Sequence, residues 1–396
     1  MSEEYFSDGK IFADKEVLRS TYIPENLPHR KEQIASLTDI LSRTLKEMAP
    51  SNILIYGNTG TGKTTTVKYV CKQLEELART CNYALIYINC EIFYTQHRIL
   101  SYLARVFNKR VPVFGWSTDV LYSELKERID TEDRYVVVIL DEMNESVTKE
   151  DETLYKLLRI NRKLNKERIS VIGISNYLSF PELLDQRVKS SLDAKEIMFP
   201  AYSPDQLKDI LTERAHKAFN YSALDDAVIP LCAALATKRN GDAKRALDLL
   251  LMSGEIAERT KSKKVSEEHV RIASERIEAN STVEVVKTML LHHKIVLSSV
   301  LMLTREKNER YFISGEVYNI YRRLCDHLGV EPLTQRRLVD LISELDSLGL
   351  INAVVVSRGR YGTTKEISLN VPEELIQPVL FADYELKALS NFSVEA

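Results

Sequence analysis

The fold of this chain is decided by the stretch NILIYGNTGTGKT, residues 52–64. It contains a complete G-x-x-x-x-G-K-[ST] motif, after an apolar run that predicts a strand (52–56) and before a run with helical spacing (64–77). Glycine permits backbone torsions that a Cβ opposes, so successive amide N–H groups can turn toward phosphate oxygens at the start of the helix. The alternative is a glycine-rich turn without a ligand, but every motif position and both flanking elements fit a phosphate loop.

The loop predicts a site for ATP or ADP with Mg²⁺. The Lys63 ammonium is expected to reach the β and γ phosphates, and the Thr64 hydroxyl is expected to ligate Mg²⁺. The residues expected to surround the nucleotide phosphates are Gly57, Asn58, Thr59, Gly60, Thr61, Gly62, Lys63, Thr64 and Thr65.

A second apolar run, VVVIL at residues 136–140, ends in the carboxylates Asp141 and Glu142. An unbroken apolar run suits a central strand buried on both faces, and ligands bind at the carboxyl ends of parallel strands. Asp141 is predicted to hold Mg²⁺, directly or through water, and Glu142 to polarise the attacking water. Asn176 follows the next predicted strand and could hydrogen-bond the γ phosphate or the lytic water; a simple turn residue is the alternative.

Strands alternate with helical stretches up to about residue 200, which predicts a parallel sheet with flanking helices. Helical periods alone follow, opened by the capping signal SPDQ at 203–206, and indicate a small all-helical lid. Three further helical stretches and two strands then match a winged helix. The predicted organisation is a flexible arm (1–20), an α/β nucleotide-binding base domain (21–202), a helical lid (203–282) and a winged-helix domain (283–396).

The third helix of the predicted winged helix carries residues suited to reading DNA bases. Recognition helices contact base edges mainly with their N-terminal residues, and Arg can read guanine while Gln can read adenine. The residues at this helix start are Thr334, Gln335, Arg336 and Arg337. In the turn and second strand, the cations expected to contact phosphates or the minor groove are Arg358, Arg360 and Lys365. Winged helices also dock on proteins, which is the alternative.

The order of these motifs resembles that of an AAA+ ATPase: phosphate loop, Asp141-Glu142, Asn176, Arg187, then GDAKR at 241–245 with a helical lid. LPHR at 27–30, RVKSSL at 187–192 and the winged helix narrow the resemblance to archaeal replication initiators of the origin-recognition and cell-division-control family. The similarity covers about residues 15–390.

The resemblance implies a role for each of these segments. Leu27, Pro28, His29 and Arg30 would border the adenine and ribose. Asn176 would be the first sensor, and Arg187 would complete a neighbour's site. Lys244 stands where the family's second sensor usually has Arg, so sensing falls either to Lys244 or to the adjacent Arg245.

Residues 91–117 correspond to a helical insertion that contacts DNA in this family. The basic residues of the insertion are Arg98, Arg105, Lys109 and Arg110. An ordinary helix with a solvated basic face is the alternative.

The function implied by the resemblance is ATP-dependent initiation of DNA replication. Such a protein would bind duplex DNA at replication origins and help to recruit or load the replicative helicase, with slow ATP hydrolysis as a switch. Paralogous initiators on the same origin would be further partners. The alternatives are a transcriptional AAA+ regulator and an AAA+ assembly factor whose winged helix docks on protein.

Composition narrows the class of protein. With 396 residues, a net charge of −3, 44% hydrophobic and 28% charged residues, the chain is typical of globular proteins and unlike disordered, collagenous or rod-like ones. The apolar runs are too short to span a bilayer and the N-terminus lacks a signal-peptide pattern, so we expect a cytoplasmic protein without a membrane partner. Five cysteines that never form CxxC predict reduced, buried thiols rather than a zinc site.

Overall fold

The computed structural model describes residues 11–43, 51–77, 83–93, 95–112, 114–131, 135–143, 157, 160–161, 164, 169–192, 194–238, 240–306, 311–357 and 363–392. Residues 1–10 of the predicted arm and the turn with Arg358 and Arg360 lie outside the described residues. So does most of the stretch 154–164, whose apolar spacing predicts a helix. By its internal contacts the chain divides into two units, Met1–Ala273 and Ser274–Ala396.

A five-stranded parallel sheet lies at the centre of the first unit. Its strands are β1 (Ile53–Tyr56), β2 (Tyr83–Asn89), β3 (Tyr135–Asp141), β4 (Ile169–Ser175) and β5 (Lys195–Met198), in the order β2-β3-β4-β1-β5. β3 and β4 are buried almost throughout, as their apolar sequences predict. The sequence pattern does not predict β5, because Ile197 is its one buried residue.

Helices cover both faces of the sheet, which confirms the predicted fold class. They are α1 (Lys31–Leu41), α2 (Lys63–Leu77), α3 (Gln96–Phe107), α4 (Thr118–Thr131), α5 (Phe180–Leu183) and α6 (Gln186–Leu192). Side chains alternate between the faces of a strand. Val137 and Ile139 of β3 therefore pack with α1 and α2, while Val136 and Val138 pack with α3 and α4. The phosphate loop and the ends of β3 and β4 meet at one edge of the sheet.

The lid consists of α7 (Pro204–Ala218), α8 (Val228–Thr237), α9 (Ala243–Arg259) and the beginning of α10 (Glu267–Thr288). The capping signal at its start forms a full capping box. The Gln206 amide N–H donates to Ser203 Oγ at 3.3 Å, and the Ser203 amide N–H donates to Gln206 Oε1 at 3.0 Å. Two amide groups that helix geometry leaves without a partner are thus satisfied.

Residues 11–20, which the sequence assigns to a flexible arm, are packed against the lid. Ile11 and Leu18 are fully buried, and the Phe12 ring packs at a tilt of 33° against Phe219 with ring centroids 4.8 Å apart. Arg214 of α7 donates from Nη1 to the Val17 carbonyl at 2.8 Å. The apolar residues of this segment form two short groups, 11–13 and 17–18, without a sustained period, so the sequence pattern does not predict this packing.

The second unit contains a winged helix. After the end of α10 it comprises α11 (Leu291–Glu306), β6 (Phe312–Ile313), α12 (Ser314–Leu328), α13 (Gln335–Ser347), β7 (Ile351–Ser357), β8 (Thr363–Leu369) and α14 (Glu373–Ala382). β7 and β8 form the predicted hairpin, and β6 adds a third antiparallel strand in the order β6-β8-β7. The helical spacing of apolar residues at 285–303 predicts one helix, but the stretch belongs to two helices, because α10 ends at Thr288 and α11 begins at Leu291.

A partly buried ion pair connects α11 of this unit to the residue that follows α14. Lys294 of α11 donates from Nζ to Asp383 Oδ2 at 2.6 Å, and the side chains are 10% and 22% exposed. This hydrogen bond lowers the pKa of Asp383. Since the pKa is lowered in the folded state, the pair stabilises the unit above the ordinary carboxyl pKa, and that stabilisation is lost as pH falls through the lowered value.

We expect Asp383→Asn to lower the free energy of unfolding of this unit by about 2 kcal/mol at neutral pH, since hydrogen bonds to charged groups contribute about 1.5–3 kcal/mol. Amide hydrogen exchange in α11 measures this in the full chain. The matched control is Glu284→Gln, which breaks an exposed pair with Lys287 and is expected to cost under about 0.5 kcal/mol. Equal effects of the two substitutions would contradict a stabilising role for the Lys294–Asp383 pair.

Candidate functional site

The phosphate loop joins β1 to α2 and takes a conformation that requires glycine at two positions. Gly60 and Gly62 have φ angles of +70° and +86°. A Cβ on Gly60 would lie 1.6 Å from Asp242 Oδ1 in the lid, and one on Gly62 would lie 2.9 Å from the Tyr202 hydroxyl. Glycine is therefore required at these two positions, and a glycine-rich loop before a helix is the arrangement whose backbone amides bind polyphosphates.

Lys63 stands at the start of α2 with its ammonium folded into the loop. Nζ donates to the carbonyls of Gly57 at 2.8 Å and Asn58 at 2.7 Å, and the residue is 4% exposed. Burial lowers the pKa of Lys63 to about 8, although the carboxylates of Glu142 and Asp141 act in the opposite direction. Because the two acceptors are neutral carbonyls, the Lys63 ammonium would form stronger hydrogen bonds with phosphate oxygens bound in the loop.

Asp141, the last residue of β3, places its carboxylate against the start of α2. Thr64 donates from Oγ1 to Asp141 Oδ2 at 2.9 Å, and the Glu142 amide N–H donates to Oδ1 at 2.9 Å. A second hydroxyl, that of Tyr87 on β2, donates to Oδ2 at 2.5 Å. A hydroxyl and a carboxylate side by side are the oxygen donors that Mg²⁺ prefers, so these residues fit the predicted ion.

Glu142 and Asn176 follow neighbouring strands and meet at the same edge of the sheet. Asn176 Nδ2 donates a hydrogen bond to Glu142 Oε2. Glu142 has a φ of +57°, and burial, then the charge of Asp141, raise the pKa of Glu142. The end of β3 thus turns the Glu142 carboxylate into the cavity beside the loop.

That cavity has a volume of about 320 Å³ and lies between the sheet domain and the lid. The predicted site residues that line it are Leu27, Pro28, Thr59, Gly60, Gly62, Lys63, Thr64, Thr65, Glu142, Asn176 and Lys244. The cavity is also lined by residues that no sequence motif identifies, among them Tyr22, Ile23, Pro24, Lys68, Tyr202, Ile210 and Arg214. No motif marks these positions, since they come from three separate segments. The segment before α1 contributes the apolar residues Tyr22, Ile23, Pro24, Leu27 and Pro28, which suit a flat base, next to the polar Arg19, Ser20, Thr21 and Asn26.

Two of the four residues predicted to border the base are engaged elsewhere. His29 Nε2 lies 3.0 Å from Asp209 Oδ2 on α7. Arg30 is 2% exposed and donates from Nε to the Thr61 carbonyl and from Nη2 to the Pro200 carbonyl, at 2.9 and 2.8 Å. Its guanidinium lies 3.8 Å from the centroid of the Tyr202 ring. Arg30 thus connects the phosphate loop, through Thr61, to the segment that leads into the lid, through Pro200.

Helix α9 decides which of the two second-sensor candidates faces the cavity. Asp242 caps its N-terminus by accepting from the Arg245 amide at 3.0 Å. Ala243, Lys244 and Leu247 line the cavity, as expected for residues on one face of a helix, whereas Arg245 lies on the flank. Of the two second-sensor candidates, Lys244 is therefore the one that faces the cavity, which Arg214 of α7 also lines.

Arg187 lies near the start of α6, at the protein surface. Its side chain is 76% exposed, and it donates from Nε and Nη2 to the two carboxylate oxygens of Asp185 at 3.1 and 3.2 Å. These hydrogen bonds lower the pKa of Asp185. An exposed guanidinium oriented by a carboxylate is accessible to a neighbouring molecule.

The basic residues of the predicted insertion lie on α3 and in the segment that follows it. All four are exposed: Arg98, Arg105, Lys109 and Arg110. Phe114 beyond the helix is 84% exposed, while Trp116 packs against the core and accepts a hydrogen bond at its carbonyl from His97. Cations with an adjacent exposed aromatic ring suit a nucleic-acid surface.

The N-terminus of α13 presents the predicted base-reading residues. Thr334 caps the helix, and Gln335, Arg336 and Arg337 are exposed. Arg337 donates to Asp340 on its own helix at 3.4 Å, while Arg336 forms no ion pair with a residue that the structure describes. Lys365 is half-buried and donates to Ser343 Oγ on α13 at 2.5 Å, so it is held against the helix.

Comparison with known proteins agrees with this arrangement. Residues 26–172 match the AAA ATPase domain, 208–275 the Cdc6 AAA+ ATPase-type lid domain, and 284–378 the CDC6 C-terminal winged helix domain. The chain is therefore an AAA+ ATPase that carries a helical lid and a winged helix.

Its relatives define the family more narrowly. The chain is 52% identical to ORC1-type DNA replication protein 1 of Methanosarcina acetivorans, over 98% of this chain and 95% of that protein. It is 51% identical to the ORC1-type DNA replication protein of Pyrococcus abyssi, over 99% and 95%. A solved structure of Aeropyrum pernix ORC1 in complex with DNA is 42% identical with a TM-score of 0.84, covering 96% of this chain and all of that one. The chain belongs to the archaeal ORC1-type family of DNA replication proteins.

Within the described ranges, no helix has an apolar stretch sufficient to cross a membrane. Cys71, Cys90, Cys232 and Cys325 are buried thiols, and Cys81 lies outside the described residues.

Proposed function

We propose that this protein binds duplex DNA at replication origins in an ATP-dependent manner and helps to recruit or load the replicative helicase. The observation that carries the proposal is the presence, on one chain, of a nucleotide-sized cavity and of a recognition helix that begins with exposed Gln335 and Arg336. Support also comes from the 42% identity to a protein whose structure was solved in complex with DNA. Acting on chromosomal DNA, it would work at the nucleoid in the cytoplasm.

The nucleotide of this proposal is ATP with Mg²⁺. Lys63 and the loop amides would hold the phosphates, Thr64 and Asp141 would hold the ion, and Lys244 would reach the phosphates from the lid. Bound Mg²⁺ supplies positive charge to the phosphate oxygens during hydrolysis. Glu142 would accept the proton of the attacking water, and Asn176 would keep the Glu142 carboxylate in place.

The switch rests on direct contact between the loop and the lid. The Ala243 amide at the start of α9 donates to the Gly60 carbonyl at 3.0 Å, and the Asp242 side chain lies against Gly60. A nucleotide that occupies the loop therefore acts on the first turn of α9. A switch needs one turnover per event, so we expect slow hydrolysis. Arg187 would act in the site of a neighbouring initiator, a paralogue or a second copy.

Binding to a pool of genomic duplex fragments, with ATP and with ADP, tests the proposal. We expect enrichment of origin fragments, and we expect Arg336→Ala to reduce the preference for them about tenfold or more, since a bidentate contact to a base discriminates by about 1–3 kcal/mol. Arg337→Ala is the matched control, because Arg337 already pairs with Asp340, and a smaller change in preference is expected.

Retained fragments without origin sequences would overturn the initiator proposal. Such binding, if sensitive to salt, would reflect phosphate contacts alone. Enrichment of promoter fragments would instead favour a transcriptional regulator.

A further inference from the structure

Tyr87 makes a contact in the nucleotide site that none of the sequence motifs explains. Its hydroxyl donates to Asp141 Oδ2 at 2.5 Å, and the same oxygen accepts from Thr64 Oγ1 at 2.9 Å. Oδ1 accepts from the Glu142 amide. The Asp141 carboxylate is thus fixed by three donors on different parts of the chain.

The position of Tyr87 follows from the register of the sheet. Tyr87 lies opposite Ile139 in the parallel pair of β2 and β3, and Asn89 lies opposite Asp141. The half-buried Tyr87 ring packs among side chains of the same face as α2. On that face, Nζ of Lys68 lies 4.6 Å from the centroid of the ring. Lys68 also lines the nucleotide cavity. The Tyr87 ring therefore contacts a residue of the cavity wall, while its hydroxyl contacts Asp141.

We propose that Tyr87 is a positioning residue for the magnesium site, an inference that rests on the proposed binding of ATP with Mg²⁺. A Thr64 hydroxyl that ligates the ion does so through an oxygen lone pair, and its hydrogen can still be donated to Asp141. Tyr87 is a second side-chain donor to the same carboxylate oxygen, and because it has no part in ligating the ion it serves only to keep the Asp141 carboxylate in its orientation. Groups that hydrogen-bond a metal-binding carboxylate typically change metal affinity by about 10–100-fold when removed.

Tyr87→Phe tests this role because it removes one oxygen and leaves the ring. The readout is the Mg²⁺ concentration that gives half-maximal binding of a fluorescent N-methylanthraniloyl ATP, compared with binding of the same nucleotide in EDTA. We expect the half-maximal Mg²⁺ concentration to rise about tenfold. We expect binding in EDTA to stay within about twofold of that of the unmodified protein, since Tyr87 supports the carboxylate and not the phosphate cradle.

Tyr56→Phe is the matched control. Tyr56 also lies on a strand of the sheet, and its hydroxyl also donates to a carboxylate, that of Glu196 on β5, at 3.2 Å. Its Mg²⁺ dependence should not change. Equal shifts in the two variants would overturn the proposal, as would a parallel loss of binding with and without Mg²⁺ in Tyr87→Phe. If the unmodified protein binds no nucleotide at all, the proposed nucleotide site fails, and that result is distinct from either of these.

Discussion

Lys63→Ala is expected to abolish measurable binding of ATP and ADP while duplex DNA binding remains. Lys63 is buried, and among the described residues its Nζ donates to the carbonyls of Gly57 and Asn58. A phosphate in the cradle would replace neutral acceptors with charged ones, and each hydrogen bond to a charged group contributes about 1.5–3 kcal/mol. Two such bonds correspond to a loss of about hundredfold or more in affinity. Titration with a fluorescent nucleotide measures the change.

Lys72→Ala is the control for that substitution, since Lys72 lies on the same helix but is exposed. It should bind nucleotide as the unmodified protein does. Duplex DNA binding reports on the winged helix of the second unit, so the folding of the first unit, which contains Lys63, is checked by amide hydrogen exchange in β3 and β4. Retained ATP affinity in Lys63→Ala, with Lys72→Ala unchanged, would show that the phosphate loop is not the nucleotide site.

The residues of the site that directly follow a predicted strand can be predicted from the sequence. The glycine-rich loop has to follow one strand and begin one helix, and Asp141 and Asn176 each follow an apolar run. Parallel strands bring their carboxyl ends to one edge, so these residues must converge whatever the details of packing. The contact between Asn176 and Glu142 is a consequence of that rule.

Contacts between distant segments could not be predicted in this way. Arg30 hydrogen-bonds Pro200, 170 residues later, and Tyr87 hydrogen-bonds Asp141, 54 residues later. The motif LPHR suggests that residues 27–30 all border the nucleotide base. Arg30 instead donates to the Thr61 carbonyl of the phosphate loop and to the Pro200 carbonyl. Such roles depend on which buried carbonyl or carboxylate lies nearby, and a pattern of residue types along one sequence does not contain that information.

Glu142 is the residue whose substitution separates binding from turnover. Its carboxylate is aimed into the cavity by a backbone φ of +57° and is held by Asn176. Glu142→Gln keeps the size of the side chain and an oxygen that accepts from Asn176, but it removes the proton acceptor. General-base catalysis contributes about 10²–10⁴-fold, so we expect ATP affinity within about threefold of the unmodified protein and single-turnover hydrolysis slower by at least about hundredfold.

The control for this substitution is Glu91→Gln. Glu91 is exposed, and its charge helps to raise the pKa of Glu142 without a contact to the phosphate loop. We expect its hydrolysis rate to change by less than about threefold, because the general base remains in place. Hydrolysis at the normal rate in Glu142→Gln would place the general base elsewhere in the cavity, whereas loss of both binding and turnover would mean that the Glu142 charge supports the phosphate cradle itself. The expected combination, tight binding without turnover, also provides a protein held in its ATP state, with which the effect of nucleotide on DNA binding can be measured directly.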